Sequence, residues 1–317
     1  MEALRGGELV VFPTETVYGL GANAADPTAV RKIFEVKGRP PDHPVIVHLD
    51  DPRYLHRWVS NMPEVAEQLA ARFWPGPLTL ILPKAENVNE IVTGGQDSIG
   101  IRVPSHPMAQ QLLNAFGGGI AAPSANRYGR LSPTKPEHVR DELGDDVKVI
   151  LDGGDSPIGL ESTIVSCLDN QARLLRPGSI TRSQLEQVVG PMVVGGVVPR
   201  APGDRALHYA PSTPLEIVDS DDLEVRAGEI VAREEKVAVL AMRPPLHTQR
   251  HMTWINAGKK PDTYAHNLYN HLRTLDRVGC VKIFVQSLPQ DERWAAILDR
   301  LQRASGMGDS SLELSVS

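Results

Sequence analysis

Several protein classes are argued against by what this chain has little of. Only two cysteines occur in 317 residues, Cys167 and Cys280, far apart and with no partner spacing. That argues against a disulfide framework and against a cysteine-held metal, and each thiol is read as a small core filler. Aromatic residues make up 5% of the chain and the net charge is -6. A face that grips nucleic acid is basic and studded with aromatics, so no stable binding of tRNA or DNA is expected. No apolar run approaches the roughly 18 residues that a membrane span needs, and residues 1–10 lack a basic start followed by a hydrophobic core. The reading is cytoplasmic, with no membrane partner and no protein-held metal. No G-x-x-x-x-G-K-[ST] loop is present either; Gly258-Lys259-Lys260 lacks its first glycine and its hydroxyl.

What is present is an α/β pattern long enough for two domains. Over residues 1–190, apolar runs at Glu8–Phe12, Val45–Leu49, Leu78–Leu82, Ser98–Val103, Ile120–Ala122, Val147–Leu151 and Thr163–Cys167 read as strands. Val65, Leu69 and Phe73, and again Met108, Leu112 and Phe116, recur at four-residue spacing and read as core-facing helix stripes. Residues 191–213 are rich in Gly and Pro and read as a linker. From 214 to 317 a second alternation follows, with strands at Glu216–Val218, Val237–Ala241, Thr253–Ile255 and Val281–Gln286. Its helical stripes are Tyr264, Leu268, Leu272, Leu275 and Trp294, Ile297, Leu298, Leu301, which together favour a small Rossmann-like parallel sheet covered by helices. The last dozen residues carry little pattern and read as a tail.

The first strand leads into Pro13–Ala24, PTETVYGLGANA, whose Gly19–Ala24 fits the loose dinucleotide fingerprint. A dinucleotide turn leaves its strand at the first glycine and opens a helix at the third, so that amides face a pyrophosphate. Here Pro13-Thr14-Glu15-Thr16 intervenes, and the helix begins only after Asp26-Pro27, a cap followed by a first-turn proline. The glycines are therefore read as a turn between the first strand and that helix, and the informative part is the polar TET.

Further polar clusters fall at strand ends, where α/β proteins place ligands. They are KGRPPDHPVIVH (Lys37–His48), SIGIRVP (Ser98–Pro104), APSANRYGRLSPT (Ala122–Thr134), GLEST (Gly159–Thr163), LLRPGSI (Leu174–Ile180) and HYAP (His208–Pro211). Lys37 and Arg39, two apart after a helix, read either as a clamp on phosphate oxygens or as a solvated helix terminus. Arg102, in an apolar strand, must meet either a protein carboxylate or a ligand carboxylate. His48 reads as a core histidine or a ligand contact.

In this order and spacing, the clusters resemble the YrdC-type family of threonylcarbamoyl-AMP synthases over nearly the whole chain, in its long two-domain form. The resemblance implies a twisted mixed sheet with helices over 1–190 and the family's extra α/β domain over 214–317. It also implies an enzyme, a nucleotidyltransferase that makes threonylcarbamoyl-AMP and pyrophosphate from L-threonine, bicarbonate and ATP with Mg²⁺. The product would pass to a separate tRNA threonylcarbamoyl transferase complex, for threonylcarbamoyladenosine modification in tRNA processing. Carried over by resemblance, Thr16, His48, Arg102, Ala122 and Ser162 or Thr163 meet threonine. Lys37, Arg39, His43, Ser98, Ser124, Ser132, Arg176 and Tyr209 meet ATP, and Tyr209 folds over the site. His43 stands where other members often carry an amide, and an imidazole can likewise donate to phosphate. Two rivals are a carbamoyl-adenylating transferase, which would bring acylphosphatase-like and zinc-finger segments, and an RNA-binding module without catalysis, which would need a basic face.

Overall fold

A computed structural model describes residues 1–195, 199–202 and 208–307. The chain forms two compact units: Met1–Tyr128 with Ser132–Asp204, and Gly129–Leu131 with Arg205–Ser317. The expected linker over 191–213 thus lies partly outside the described residues, as does most of the expected tail.

In the first unit the elements run, in chain order, α1 (Glu2–Arg5), β1 (Val10–Phe12), β2 (Gly19–Asn23), α2 (Pro27–Lys37), β3 (Ile46–His48) and α3 (Glu64–Phe73). Then come β4 (Leu78–Pro83), α4 (Glu90–Thr93), β5 (Ser98–Arg102), α5 (Pro107–Phe116), β6 (Ile120–Ala121) and α6 (Pro136–Leu143). β7 (Val149–Ile150), β8 (Thr163–Ser166), β9 (Arg173–Arg176) and α7 (Arg182–Val189) complete it. The strands form one mixed sheet in the order β7-β1-β2-β6-β3-β5-β4-β8-β9. Strand edges differ from the sequence reading by a residue or two.

α2 shows why the local reading works. Asp26 Oδ1 accepts from Thr28 N and Ala29 N, Pro27 opens the first turn, and Gly38, at φ 62, closes the last. Ala29, Val30, Ile33 and Phe34 are its buried apolar residues, and they join a core that includes Leu69, Leu80, Val47 and Ile101.

Two strands correct the sequence reading. Gly19–Asn23 is not a turn: it pairs antiparallel with β1, Gly21 opposite Val10, and with β6. A Cβ on Gly21 would lie 2.9 Å from both Ile120 Cγ2 and the Phe12 ring, so the glycine serves close strand-to-strand packing. β9, whose apolar run is only Leu174-Leu175 between two arginines, was not among the expected strands and pairs antiparallel with β8.

The second unit contains β10 (Leu215–Val218), α8 (Leu223–Val231), β11 (Val237–Ala241), β12 (Met252–Asn256), α9 (Pro261–Asp276), β13 (Lys282–Gln286) and α10 (Ala295–Ala304). All pairings in its sheet, ordered β10-β13-β11-β12, are parallel. Tyr264, Leu268, Leu272 and Leu275 of α9 are buried, as the stripe requires.

Candidate active site

Register across the first sheet aligns the central polar groups. His48 of β3 lies beside Arg102 of β5, and Thr79 of β4 lies on the other side of Arg102. Residues two apart on a strand share a face, so Arg102, Gly100 and Ser98 line one side of β5, flanked at Gly100 by Ile46 and Ile81. With Ile164 and Ala201 these isoleucines form a buried apolar cluster. The polar row therefore borders an apolar floor.

Arg102 is buried and anchored at every nitrogen. Nε donates to Gly76 O at 3.3 Å, Nη1 to Thr16 Oγ1 at 2.8 Å, and Nη2 to Glu15 Oε1 at 2.6 Å. The other Glu15 oxygen accepts Ser105 N at 3.1 Å. Of the two partners open to Arg102 in the sequence, the protein carboxylate is present, and it is Glu15, which the sequence reading did not single out. The available signal was a buried guanidinium in need of a counter-charge. Removing one member of such a pair costs about 3–5 kcal/mol, because the other is left buried and unpaired. His48 is buried beside this cation and edge-on to Phe12, with ring centroids 5.9 Å apart. Burial first, and Arg102 second, lower its pKa from 6.5 to about 3, so the imidazole is neutral at pH 7.

The Lys37 and Arg39 pair is not a solvated helix end. Both side chains are buried. Lys37 Nζ donates to Ser124 O at 2.6 Å and to Asn126 O, and Arg39 Nη2 donates to Pro44 O at 2.8 Å. Tyr128 N returns to Lys37 O at 2.8 Å. Desolvation, then the neighbouring Arg39, hold the Lys37 ammonium well below its ordinary pKa. Lys37 thereby ties the 122–128 segment to the end of α2. His43 meets the Tyr128 ring edge-on at 5.6 Å. The Ser132 hydroxyl is buried and has no hydrogen-bond partner among the described residues. Ala122 gives its N–H to Ile46 O at 2.9 Å.

The loop before β8 closes the cluster through backbone bonds. Ile158 N donates to Glu15 O, Gly159 N to Thr16 O and Ser156 N to Thr134 O. Ser162 Oγ lies 2.8 Å from Thr79 Oγ1, and Arg176 donates to both Ser162 O and Ser162 Oγ as well as to Pro202 O. Thr163 differs from Ser162: its hydroxyl donates to Ile180 O and accepts Ile180 N, which commits it to the backbone. Ser162 is thus the member of the pair that joins the polar row.

Thr16, His48, Arg102, Ser162 and Arg176 are linked by this register and these bonds, and Lys37 is joined to Ser124. Ser98 stands at the far end of β5, and Tyr209 belongs to the second unit. There its ring packs on His208 and Tyr269, with the Arg300 guanidinium 5.1 Å from its centroid. Cys167 and Cys280 are free and buried, and burial pushes the Cys167 thiol up to about 12. Among the described residues no helix is long and apolar enough to cross a membrane, and no group of His, Cys, Asp or Glu is suited to hold a metal.

The first unit is thus an α/β domain whose mixed sheet carries buried cations and hydroxyls beside an apolar floor. The Sua5/YciO/YrdC family model, described as telomere recombination, matches residues 2–178, and the model of the threonylcarbamoyl-AMP synthase C-terminal domain matches residues 180–306. The chain belongs to this family. Threonylcarbamoyl-AMP synthase of Pyrococcus abyssi is 40% identical over 314 residues, covering 96% of this chain and 92% of that protein. The Bacillus subtilis synthase is 42% identical, covering 96% and 91%. A crystal structure of P. abyssi Sua5 complexed with L-threonine matches with a TM-score of 0.87 at 38% identity, over 97% of this chain and 93% of that one.

Proposed function

We propose that this chain is an L-threonylcarbamoyladenylate synthase, a nucleotidyltransferase that uses L-threonine, bicarbonate and ATP. The observation that carries the reading is the Arg102 guanidinium, buried in a strand and held by Glu15, Thr16 and Gly76. Such a cation suits the carboxylate of an amino acid, and the relatives matched over nearly the whole chain are threonylcarbamoyl-AMP synthases.

The threonine end is assigned to Arg102, His48, Thr16, Ser162 and the Ala122 backbone. Neutral His48 adds no second charge beside Arg102. ATP is assigned to Lys37, Arg39, His43, Ser98, Ser124, Ser132 and Arg176, with Mg²⁺ arriving on the nucleotide as part of the substrate. Residues 1–190 are assigned as the catalytic domain, 191–213 as a linker and 214–317 as the additional α/β domain. The neutral amine attacks the carbon of bicarbonate and water leaves, giving a carbamate whose oxygen then attacks the α-phosphate while pyrophosphate leaves. The buried cations offset charge on the phosphates, and the fixed pocket supplies proximity. No covalent enzyme intermediate is needed. The product passes to a tRNA-modifying transferase in the cytoplasm.

The test is pyrophosphate release with threonine, bicarbonate and ATP omitted in turn. Dependence on all three is expected; release indifferent to threonine overturns the assignment.

A further inference from the structure

We propose that Thr14, which need not touch substrate, is a positioning residue for Arg102. Acting through Thr16, it fixes the guanidinium so that one N–H on each terminal nitrogen is kept for the carboxylate of an α-amino acid. The inference rests on the threonine end of the site proposed above.

It follows from counting protons. A threonine hydroxyl has one proton and two lone pairs, a carbonyl only accepts, and a guanidinium only donates. Thr14 Oγ1 lies 2.7 Å from Val17 O, so the Thr14 proton is directed there. The amides Thr16 N and Val17 N, at 3.2 Å each, share one lone pair of Thr14 Oγ1, which leaves the other for a closer donor. The 2.8 Å contact between the Thr14 and Thr16 hydroxyls therefore takes its proton from Thr16. With that proton turned away, Thr16 Oγ1 presents a lone pair to Arg102 Nη1 at 2.8 Å.

The result is a relay with one direction, from Arg102 to Thr16 to Thr14 to the Val17 carbonyl. A cation sets its sense at one end and a carbonyl at the other. Thr14 and Thr16 are 2% and 0% exposed, so water does not compete for these groups. Without the Thr14 oxygen, the Thr16 hydroxyl can rotate its proton toward Arg102, turning an attraction into a repulsion.

The guanidinium has five N–H groups. Glu15, Thr16 and Gly76 take one from Nη2, Nη1 and Nε respectively. One hydrogen on each terminal nitrogen is left for a carboxylate, and the relay and Glu15 together hold the plane that aims them.

Thr14→Val removes the relay while keeping the side-chain shape; Thr14→Ser restores the hydroxyl. With the full-length protein, pyrophosphate release is followed against L-threonine and, separately, against ATP. Thr14→Val is expected to raise the KM for threonine about tenfold, the size of one lost hydrogen bond, and to leave the KM for ATP within about twofold. Thr14→Ser is expected to stay within about threefold of the wild type for both. An unchanged threonine KM in Thr14→Val, an equal rise in both KM values, or a Thr14→Ser variant as impaired as Thr14→Val each overturns the inference. Thr14→Ala, read the same way, stands in if the valine variant does not fold. Absence of threonine-dependent release in the wild type overturns the proposed function instead, before any variant is compared.

Discussion

Lys37 and His48 show how far burial moves a side chain from its free chemistry. Beside Arg39, Lys37 reads either as a phosphate clamp or as a solvated helix end, whereas its amine is buried and bonded to the carbonyls of Ser124 and Asn126. Lys37→Ala is expected to lower pyrophosphate release more than a hundredfold, if the residue contributes about 3 kcal/mol. It should also speed amide exchange at Ala125 and Tyr128, which mass spectrometry would report; normal protection there would contradict the loop-holding role. His48 carries a pH signature whose sign is fixed. Its folded pKa, about 3, lies below its unfolded value near 6.5. The unfolded state therefore binds the extra proton, and the stability that neutral His48 allows is complete above pH 6.5 and lost as pH falls toward 3. Between pH 7.5 and 5 the wild type should lose about 2 kcal/mol more than His48→Gln. Parallel denaturant melts at the two pH values check this; equal losses would show that His48 does not remain neutral.

At the scale of elements, capping and periodicity were legible and strand pairing was not. Asp26-Pro27 announces the start of α2, and the α9 stripe is buried as its spacing requires. β2 was misread because Gly19-Leu20-Gly21 carries turn residues, whereas the crowding of Phe12 and Ile120 over Gly21 comes from residues distant in sequence. Gly21→Val should destabilise the first unit by about 1–3 kcal/mol through overpacking, measured as a lower midpoint in urea. A neutral result would mean that the glycine answers to the backbone alone. The Arg102 relay lies at the same scale: Thr14, Glu15 and Thr16 are sequence neighbours, but their partner reaches them across 86 or 87 residues.

For the whole molecule, the two units each hold a sheet of their own. A chain ending at residue 204 should therefore fold cooperatively, while losing turnover if residues 205–317 contribute to the reaction. Circular dichroism and pyrophosphate release on the same sample separate the two effects; full activity would make the second domain dispensable. The sequence by itself determined the α/β class, the two sheets, the start of α2 and the family, because caps, periodicities and motif order are local and survive in one dimension. Only the tertiary structure decided that PTETVYGLGANA holds a strand, that Arg102 pairs with Glu15, that Ser162 rather than Thr163 joins the polar row, and that Lys37 braces a loop. Each of these depends on which distant donor meets which acceptor once water is excluded, and burial makes that pairing obligatory.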